Sequence, residues 1–130
     1  MYRCVTRDIQ VSVEPHFVEE ESSPEDGKWF WAYRVEIVNL GQETVQLRAR
    51  HWTITDSLGR VQEVRGPGVV GEQPVIAPGS SYSYTSGCPL STGSGFMVGT
   101  YSMETATGEE FDVAVPAFSL DVPDQPRVLN

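Results

Sequence analysis

Hydrophobic and polar residues alternate with a period of two along most of the chain. Ile9, Val11 and Val13 alternate with polar neighbours, and the odd positions from Trp29 to Ile37 are all apolar or aromatic. This alternation is typical of β-strands that bury one face. No window of twelve or more residues carries the apolar stripe of a helix, so the pattern predicts a nearly all-β protein.

Turn residues separate the predicted strands at intervals of roughly ten residues. The third strand changes phase, because Val45 and Leu47 are odd-numbered whereas Trp52 and Ile54 are even-numbered. A β-bulge within residues 48–51 would bring all four side chains to one face. The predicted strands cover about residues 9–13, 29–37, 44–55, 60–64, 82–84, 95–107 and 111–115.

This arrangement predicts an antiparallel β-sandwich of seven or eight strands, of the immunoglobulin or fibronectin type III kind. A small closed barrel is the competing architecture. The most deeply buried side chains should include Trp31, Tyr33, Val35 and Ile37, together with a list from the later strands: Trp52 or Ile54, Phe111 and Val113. With 130 residues the chain fits a single domain, 1–130, whose last residues, 121–130, are predicted to be a frayed tail.

Charge narrows the range of partners. The formal net charge is -9, which disfavours nucleic acid and anionic membrane surfaces. Five arginines nevertheless fall within residues 34–65, where they form either a local basic patch or ordinary cross-strand pairs: Arg34, Arg48, Arg50, Arg60 and Arg65.

The chain has neither an apolar leader nor a membrane-spanning stretch, so a cytoplasmic protein is expected. In that reducing compartment Cys4 and Cys88 are expected to remain free thiols.

A glycine-rich segment, GPGVVGEQP, contains the pattern GxGxxG at Gly66, Gly68 and Gly71. In dinucleotide-binding folds such glycines bring a helix N-terminus to the pyrophosphate. Here Pro74 and Pro78 prevent a helix from following, and the segment has no lysine. A backbone nest for an anion remains open, although Glu72 opposes it.

Two interpretations of the segment remain. One is a tight connection between strands. The other is a partner- or ligand-binding loop formed by the three glycines with Glu72 and Gln73, next to a surface of Arg50, His51 and Trp52.

Catalysis has little support in the sequence. His16 and His51 are the only imidazoles, and the serine-rich stretch 80–94 has no nucleophile elbow of the form GxSxG. His51 is interpreted either as a functional surface residue beside Trp52 or as a partly buried histidine bonded to the backbone. We therefore predict a non-enzyme that has no cofactor.

Four segments together resemble the bacterial ApaG family: Arg50-His51-Trp52, the glycine-rich GPGVVGEQP, YTSG at 84–87 and GFMVGTYSM at 95–103. The resemblance covers nearly the whole chain and implies the same sandwich fold. Similar domains occur in eukaryotic F-box and polymerase-interacting proteins, where they look like protein-interaction modules. The resemblance thus implies a binding module with a protein partner, as a monomer or weak homodimer.

Proteins resembling this family are also often connected with cobalt and magnesium efflux. The candidate metal ligands lie at the end of the first predicted strand and in the acidic loop after it: Glu14, His16, Glu19, Glu20, Glu21, Glu25 and Asp26. They lack the spacing of an EF-hand, so a solvated loop is predicted rather than a metal site. The alternative function is a sensor of a divalent cation or a phosphorylated metabolite that affects efflux indirectly.

Overall fold

The computed structural model describes residues 1–123, which form an all-β protein. The strands are β1 (Tyr2–Thr6), β2 (Ile9–Phe17), β3 (Trp29–Asn39), β4 (Val45–Asp56), β5 (Val61–Pro67), β6 (Val75–Ile76), β7 (Ser81–Leu90), β8 (Gly95–Thr105) and β9 (Glu110–Leu120). Two 3-10 turns, Glu19–Glu21 and Pro24–Asp26, lie in the acidic loop. Within these described residues no helix is long and apolar enough to cross a bilayer.

The strands form two antiparallel sheets that face each other. The first has the order β1-β2-β3-β7, and the second has the order β5-β4-β8-β9, with the short β6 also paired to β4. The predicted antiparallel sandwich is therefore confirmed. It is an open sandwich rather than a closed barrel, because no strand ladder within residues 1–123 joins the two sheets. The narrower immunoglobulin or fibronectin type III assignment stays a prediction.

The core lies between the sheets where the alternation places it. Trp31, Tyr33, Val35 and Ile37 of β3 are all at most 5% exposed. Trp52 is also buried, and its ring packs nearly edge-on against several other aromatic rings. Such pairs add roughly 0.5–1.5 kcal/mol each beyond the burial of their area. Phe111 is the exception among the predicted core residues, because it is only half-buried.

Phe111 lies at the margin of the sandwich, where the Arg7 guanidinium stacks over its ring at 4.4 Å from the centroid. The same guanidinium is bound to Glu109 at 3.0 Å. The Phe111 ring is therefore partly exposed to solvent and partly covered by a cation, which alternation alone does not predict.

The predicted bulge on β4 is confirmed. The register between β4 and β8 shifts between Leu47 and Ala49. As a result Leu47 on one side of the bulge and Trp52 on the other are both buried. Arg48, the extra residue, is exposed to solvent.

Several predicted boundaries were wrong. β1 was missed, because the turn that joins it to β2 is Arg7-Asp8, with φ of 47° and 64° and no glycine to mark it. β2 continues through Pro15 to Phe17. β1 does not pair with β2 beyond Val13, so the missing amide of Pro15 removes no hydrogen bond to β1. β5 extends to Pro67 rather than ending at Val64, and β8 ends at Thr105 rather than Thr107.

The described end of the chain is tied to the core. The Trp31 indole Nε1 donates to the Asp121 carbonyl oxygen at 2.8 Å, and Val122 packs against the core. The rest of the predicted tail, 124–130, lies outside the described residues.

Candidate functional site

The glycine-rich segment is a tight hairpin that follows β5 directly. Val69 and Glu72 exchange backbone hydrogen bonds of 2.8 and 2.9 Å across a two-residue tip. Both tip residues have positive φ, 43° at Val70 and 81° at Gly71. That combination defines a type I′ turn. The segment continues to β6 without forming a helix, as the prolines predict.

Two glycines of the motif make close contacts within the protein itself. Gly68 has φ of 60°, and a Cβ there would overlap the carbonyl oxygen of Glu72 across the hairpin. A Cβ at Gly66 would lie 3.1 Å from the guanidinium nitrogens of Arg50, so its absence lets that group rest against the strand. The tight-connection interpretation therefore has a physical basis at both positions.

Arg50 fastens the hairpin to the sandwich. Its Nη1 donates to the carbonyl oxygens of Pro67 at 3.0 Å and Gly68 at 2.9 Å. Hydrogen bonds from a charged donor are stronger than neutral ones. The hairpin is also held by Gly68 N–H, which donates to the Arg48 carbonyl at 2.8 Å. The sequence interpretation placed Arg50 on a binding surface, whereas much of its donor capacity serves the hairpin.

A group of tyrosines lies behind Arg50, between the sheets. The hydroxyls of Tyr84 and Tyr101 are hydrogen-bonded to each other, and both side chains are buried. Burial raises the pKa of Tyr33, Tyr84 and Tyr101, and the positive charge of Arg50 opposes this only in part. These phenols therefore stay protonated at neutral pH and cannot serve as general bases.

Trp52 does not belong to the predicted surface of Arg50, His51 and Trp52. Its side chain is 3% exposed and points into the core, so the prediction was wrong for this residue. The reason is the bulge, which returns the even positions after it to the buried face. Among the described residues, the Trp52 Nε1 is the one buried side-chain polar atom without a hydrogen-bond partner.

His51 lies on the opposite, outer face of β4. Its Nε2 lies 2.9 Å from Oε1 of Glu63 on β5, and Arg65 approaches the same oxygen at 3.6 Å. The hydrogen bond from His51, followed by the charge of Arg65, lowers the pKa of Glu63. His51 is thus bonded to a neighbouring carboxylate on the surface rather than to the backbone.

Beside this pair lies an open cavity of about 510 Å³, here called the arginine groove. Its walls come from β4, β5, β8 and β9 and include Arg48, Arg50, His51, Arg65, Thr100, Ser102 and Asp112. Arg48 and Arg65 are exposed, and the carboxylate of Asp112 accepts a hydrogen bond from Ser102 at 3.3 Å. The groove gathers positive charge on a chain whose net charge is strongly negative.

The remaining predicted loop residues surround the hairpin tip. Gly71, Glu72 and Gln73 are exposed, whereas Gly68 is buried. The Glu72 carboxylate accepts a hydrogen bond from the Tyr82 hydroxyl at 2.7 Å, and the Gln73 amide donates to the Arg48 carbonyl at 2.8 Å. Both side chains are thus held in place although they face solvent.

Val70 is the residue that the sequence interpretation missed. It is 53% exposed at the tip of the hairpin and combines a β-branched side chain with a positive φ. Such a conformation is an outlier for this residue type, and strain of this kind clusters at functional sites. The signal in the sequence was a valine at a turn position that glycine or asparagine normally fills.

The candidate metal ligands remain dispersed. Within residues 1–123, no three His, Cys, Asp or Glu side chains are grouped so as to hold a metal ion. In the acidic loop the Asp26 carboxylate instead accepts a hydrogen bond from the Ser23 hydroxyl at 2.7 Å.

Comparison with known proteins gives consistent matches. Residues 19–105 match the family model described as the ApaG domain. A protein from Bradyrhizobium sp. (strain ORS 278) named Protein ApaG is 68% identical over the full length of both chains. A second Protein ApaG, from Paramagnetospirillum magneticum, is 62% identical over both full lengths. The crystal structure of a putative ApaA protein from Bordetella pertussis superimposes with a TM-score of 0.88 at 48% identity, covering 91% of this chain and 96% of that one.

Proposed function

Because the chain belongs to the ApaG family, we propose that it is a non-catalytic, cytoplasmic binding module that contacts a protein partner through the tip of its glycine-rich hairpin. The observation that carries this proposal is Val70, an exposed β-branched residue held at a φ of 43°. An exposed apolar side chain forms no hydrogen bonds with water, and the positive φ of Val70 costs free energy in the isolated protein. A partner that covers this side chain gives both features a role.

The hairpin is suited to bind without a large loss of entropy. Arg50, the Gly68 amide and the Val69–Glu72 bonds already fix its backbone. Ordering a loop on binding reduces affinity, so a fixed loop retains more of the contact energy. Val75 of β6, which follows the hairpin in the chain, is a second exposed valine, at 64%.

The chemistry of the partner follows from the side chains around Val70. The exposed Glu72 adds a negative charge and Gln73 adds an amide. We expect the partner to offer a small apolar pocket with a lysine or arginine at its rim.

The side chains that could catalyse a reaction support a non-catalytic role. Burial raises the pKa of Cys88 to about 11 and also raises the pKa of Cys4, so neither thiol is an activated nucleophile. The tyrosines of the core are protonated, and the imidazole nitrogen of His51 that faces the surface is engaged by Glu63. No serine is bonded to a histidine in the described part of the chain.

The test separates binding from stability by replacing Val70 with asparagine. Asparagine tolerates positive φ better than valine, so we expect Val70→Asn to keep or raise the stability by up to about 1 kcal/mol. The same variant should lose most of its captured partner in a pull-down from the native cytoplasm. Leu58→Asn, which alters another exposed apolar turn residue, is the matched control.

A second variant, Glu72→Arg with Gln73→Ala, changes the polar part of the same tip. We expect it to lose the same captured protein while it remains folded by circular dichroism. If wild type, the tip variants and Leu58→Asn all capture identical proteins, the hairpin serves only to connect strands and the proposal fails.

The arginine groove favours a second candidate function, the sensing of a phosphorylated metabolite. Arg48 and Arg65 have exposed guanidinium groups at a cavity large enough for a small anion, and arginine is well suited to phosphate. The divalent-cation version of this alternative has no comparable support among the described carboxylates.

Calorimetric titration with phosphate, pyrophosphate and ATP tests the groove. Saturable heat that disappears in Arg48→Gln with Arg65→Gln would favour this second candidate over the hairpin. A dinucleotide cradled by the glycines themselves is not expected, because the helix and the lysine of phosphate-binding loops are absent from the segment. Parallel titrations with cobalt and magnesium, followed residue by residue by NMR, test the cation version.

A further inference from the structure

β7 is an edge strand with an open hydrogen-bonding side. In the first sheet it pairs with β3 along Ser81–Leu90 and is the last strand in the order. An edge strand presents a row of unpaired amides and carbonyls, which is a template for another strand. The open edge of β7 is therefore a second candidate interaction surface, which adjoins the hairpin tip through the Tyr82–Glu72 hydrogen bond.

The register shows which backbone groups face outward. Asn39 N–H donates to the Ser80 carbonyl at 3.0 Å, so the even-numbered residues of β7 form the hydrogen-bonded pairs with β3. The odd-numbered residues then direct their backbone groups to the open side: Ser81, Ser83, Thr85 and Gly87. Pro89 is also odd-numbered, so its missing amide removes no hydrogen bond to β3.

The other sheet edges are protected. β5 carries Glu63 and Arg65 and ends at Pro67, features that discourage pairing. β1 and β9 cover each other, because Cys4 Sγ donates to the Ala114 carbonyl at 3.1 Å and Ala114 N–H donates to the Thr6 hydroxyl at 3.2 Å. By contrast, the stretch from Ser81 to Cys88 contains neither a charged residue nor a proline.

We propose that a second copy of this chain pairs with the open edge of β7, antiparallel and about a two-fold axis at Tyr84. Ser81 then lies opposite Gly87 of the second copy, and Ser83 lies opposite Thr85. All the outward backbone groups of these residues become paired, with about eight main-chain hydrogen bonds. The two four-stranded sheets join into one continuous sheet.

The charges next to β7 argue for a copy of this chain in this register. Arg34 lies beside Thr85 and Glu36 lies beside Ser83 on β3. In the proposed register each row across the interface runs from Arg34 through Thr85, then through Ser83 of the second copy to its Glu36. Arg34 and Glu36, at the two ends of each row, carry opposite charges, and their backbones lie roughly 14 Å apart. Arg34 already extends toward the edge, since its Nη2 donates to Ser83 Oγ at 3.3 Å.

Neighbouring registers lack this complementarity. A shift by two residues in one direction places Ser83 opposite itself, which aligns two Glu36 residues in one row. A shift in the other direction places Thr85 opposite itself and aligns two Arg34 residues. Like charges disfavour both arrangements, so the pairing specifies its own register.

Cysteine cross-linking of Ser83→Cys and Thr85→Cys tests the register. In a dimer of either variant alone, each new cysteine lies opposite a native serine or threonine. In a dimer with one chain of each variant, which a one-to-one mixture can form, the two new cysteines lie opposite each other at a distance that a disulfide can span. We expect disulfide-linked dimers from the mixture and few from either variant alone. The parent chain controls for Cys4 and Cys88. Equal cross-linking in all samples, or none in the mixture, overturns the proposed pairing.

Sedimentation equilibrium of the unmodified chain provides the second test. Its weight-average mass should rise from 14.4 kDa toward twice that value as the concentration increases. Ser83→Lys with Thr85→Lys should stay monomeric while folded, because lysines then face each other across the axis. Val5→Lys with Ala117→Lys adds the same charge at exposed positions of β1 and β9 and should associate as the parent does. A parent that stays monomeric throughout overturns the proposal and leaves the edge to a strand from a different protein.

Discussion

At the scale of single residues, the hairpin depends on positions whose role is visible only from contacts across the chain. Gly68 is needed because it has a positive φ and because a Cβ there would overlap the Glu72 carbonyl oxygen. Gly66 leaves room for the guanidinium of Arg50 to rest against the strand. A motif that resembles a phosphate-binding pattern is therefore explained by the geometry of a turn and one arginine. These contacts make separate predictions for stability and for titration.

Gly68→Ala should be more destabilising than Gly59→Ala. Both glycines have positive φ, 60° and 80°, so both substitutions carry the conformational cost of about 1–2 kcal/mol. A methyl group at Gly59 meets nothing within 4 Å, whereas at Gly68 it meets the hairpin backbone. Urea denaturation of the two variants should show an extra loss of at least about 1 kcal/mol for Gly68→Ala. Equal losses would contradict the proposed backbone conflict.

Glu63 should titrate below the usual range for a glutamate, because the hydrogen bond from His51 and the charge of Arg65 lower its pKa. The pair therefore stabilises the fold above the ordinary glutamate pKa, and its contribution is lost as pH falls through the lowered value. In His51→Gln the Glu63 pKa should rise toward normal in a carboxyl-carbon NMR titration. Glu109, whose lowered pKa depends on Arg7, should not change and serves as the internal reference.

At the scale of secondary-structure elements, the bulge in β4 organises the site. It turns Arg48 to solvent, returns Trp52 to the core and places Arg50 where it can reach the carbonyls that follow β5. The hairpin between β5 and β6 is consequently fastened to β4 rather than free to move with its own strand. This makes the order of the hairpin dependent on one side chain of a neighbouring element.

Removal of the Arg50 guanidinium should loosen that hairpin. Arg50→Met keeps most of the aliphatic chain but leaves the Pro67 and Gly68 carbonyls without their donor. Because water replaces part of this bonding at a partly exposed site, the cost should be about 1–2 kcal/mol. Faster amide exchange is expected at Val69 and Glu72, whose mutual bonds close the tip. Arg50→Lys, which retains one charged donor, should lie between this variant and wild type. Unchanged exchange at these two amides would show that β5 and β6 alone fix the hairpin.

At the scale of the whole molecule, stability comes from an apolar core shared by both sheets. Core residues come from β2, β3, β4, β7, β8 and β9, so each sheet covers the other. The β1 and β9 edges meet through side chains, whereas the β7 edge stays open. The fold therefore has one side closed by contacts between β1 and β9 and another side that carries the proposed binding surfaces.

The protein should fold equally well without metal, because a core of this size stabilises the sandwich by itself. Its melting temperature should stay the same in excess EDTA. A fall of more than about 5 °C, which for a domain of this size corresponds to roughly 1 kcal/mol, would reveal a structural metal. Addition of magnesium in excess over the chelator controls for effects of EDTA itself.

The sequence by itself determined the local features of this protein. Alternation identified the all-β class, the buried face from Trp31 to Ile37 and the bulge in β4, because strand periodicity depends on neighbours close in the chain. The prolines after the glycine motif likewise excluded a helix there. Each of these features follows from residues within a few positions of one another.

Only the tertiary structure decided features that join distant segments. The place of Gly66 beneath Arg50, the cation-covered margin at Phe111 and the pairing of β7 with β3 involve residues far apart in sequence. The strained Val70 also required the structure, because a valine is accepted at positive φ only where contacts from other elements fix the backbone. The physical reason is that packing between the sheets, rather than local preference, decides which side chains are buried and which strand edges stay exposed.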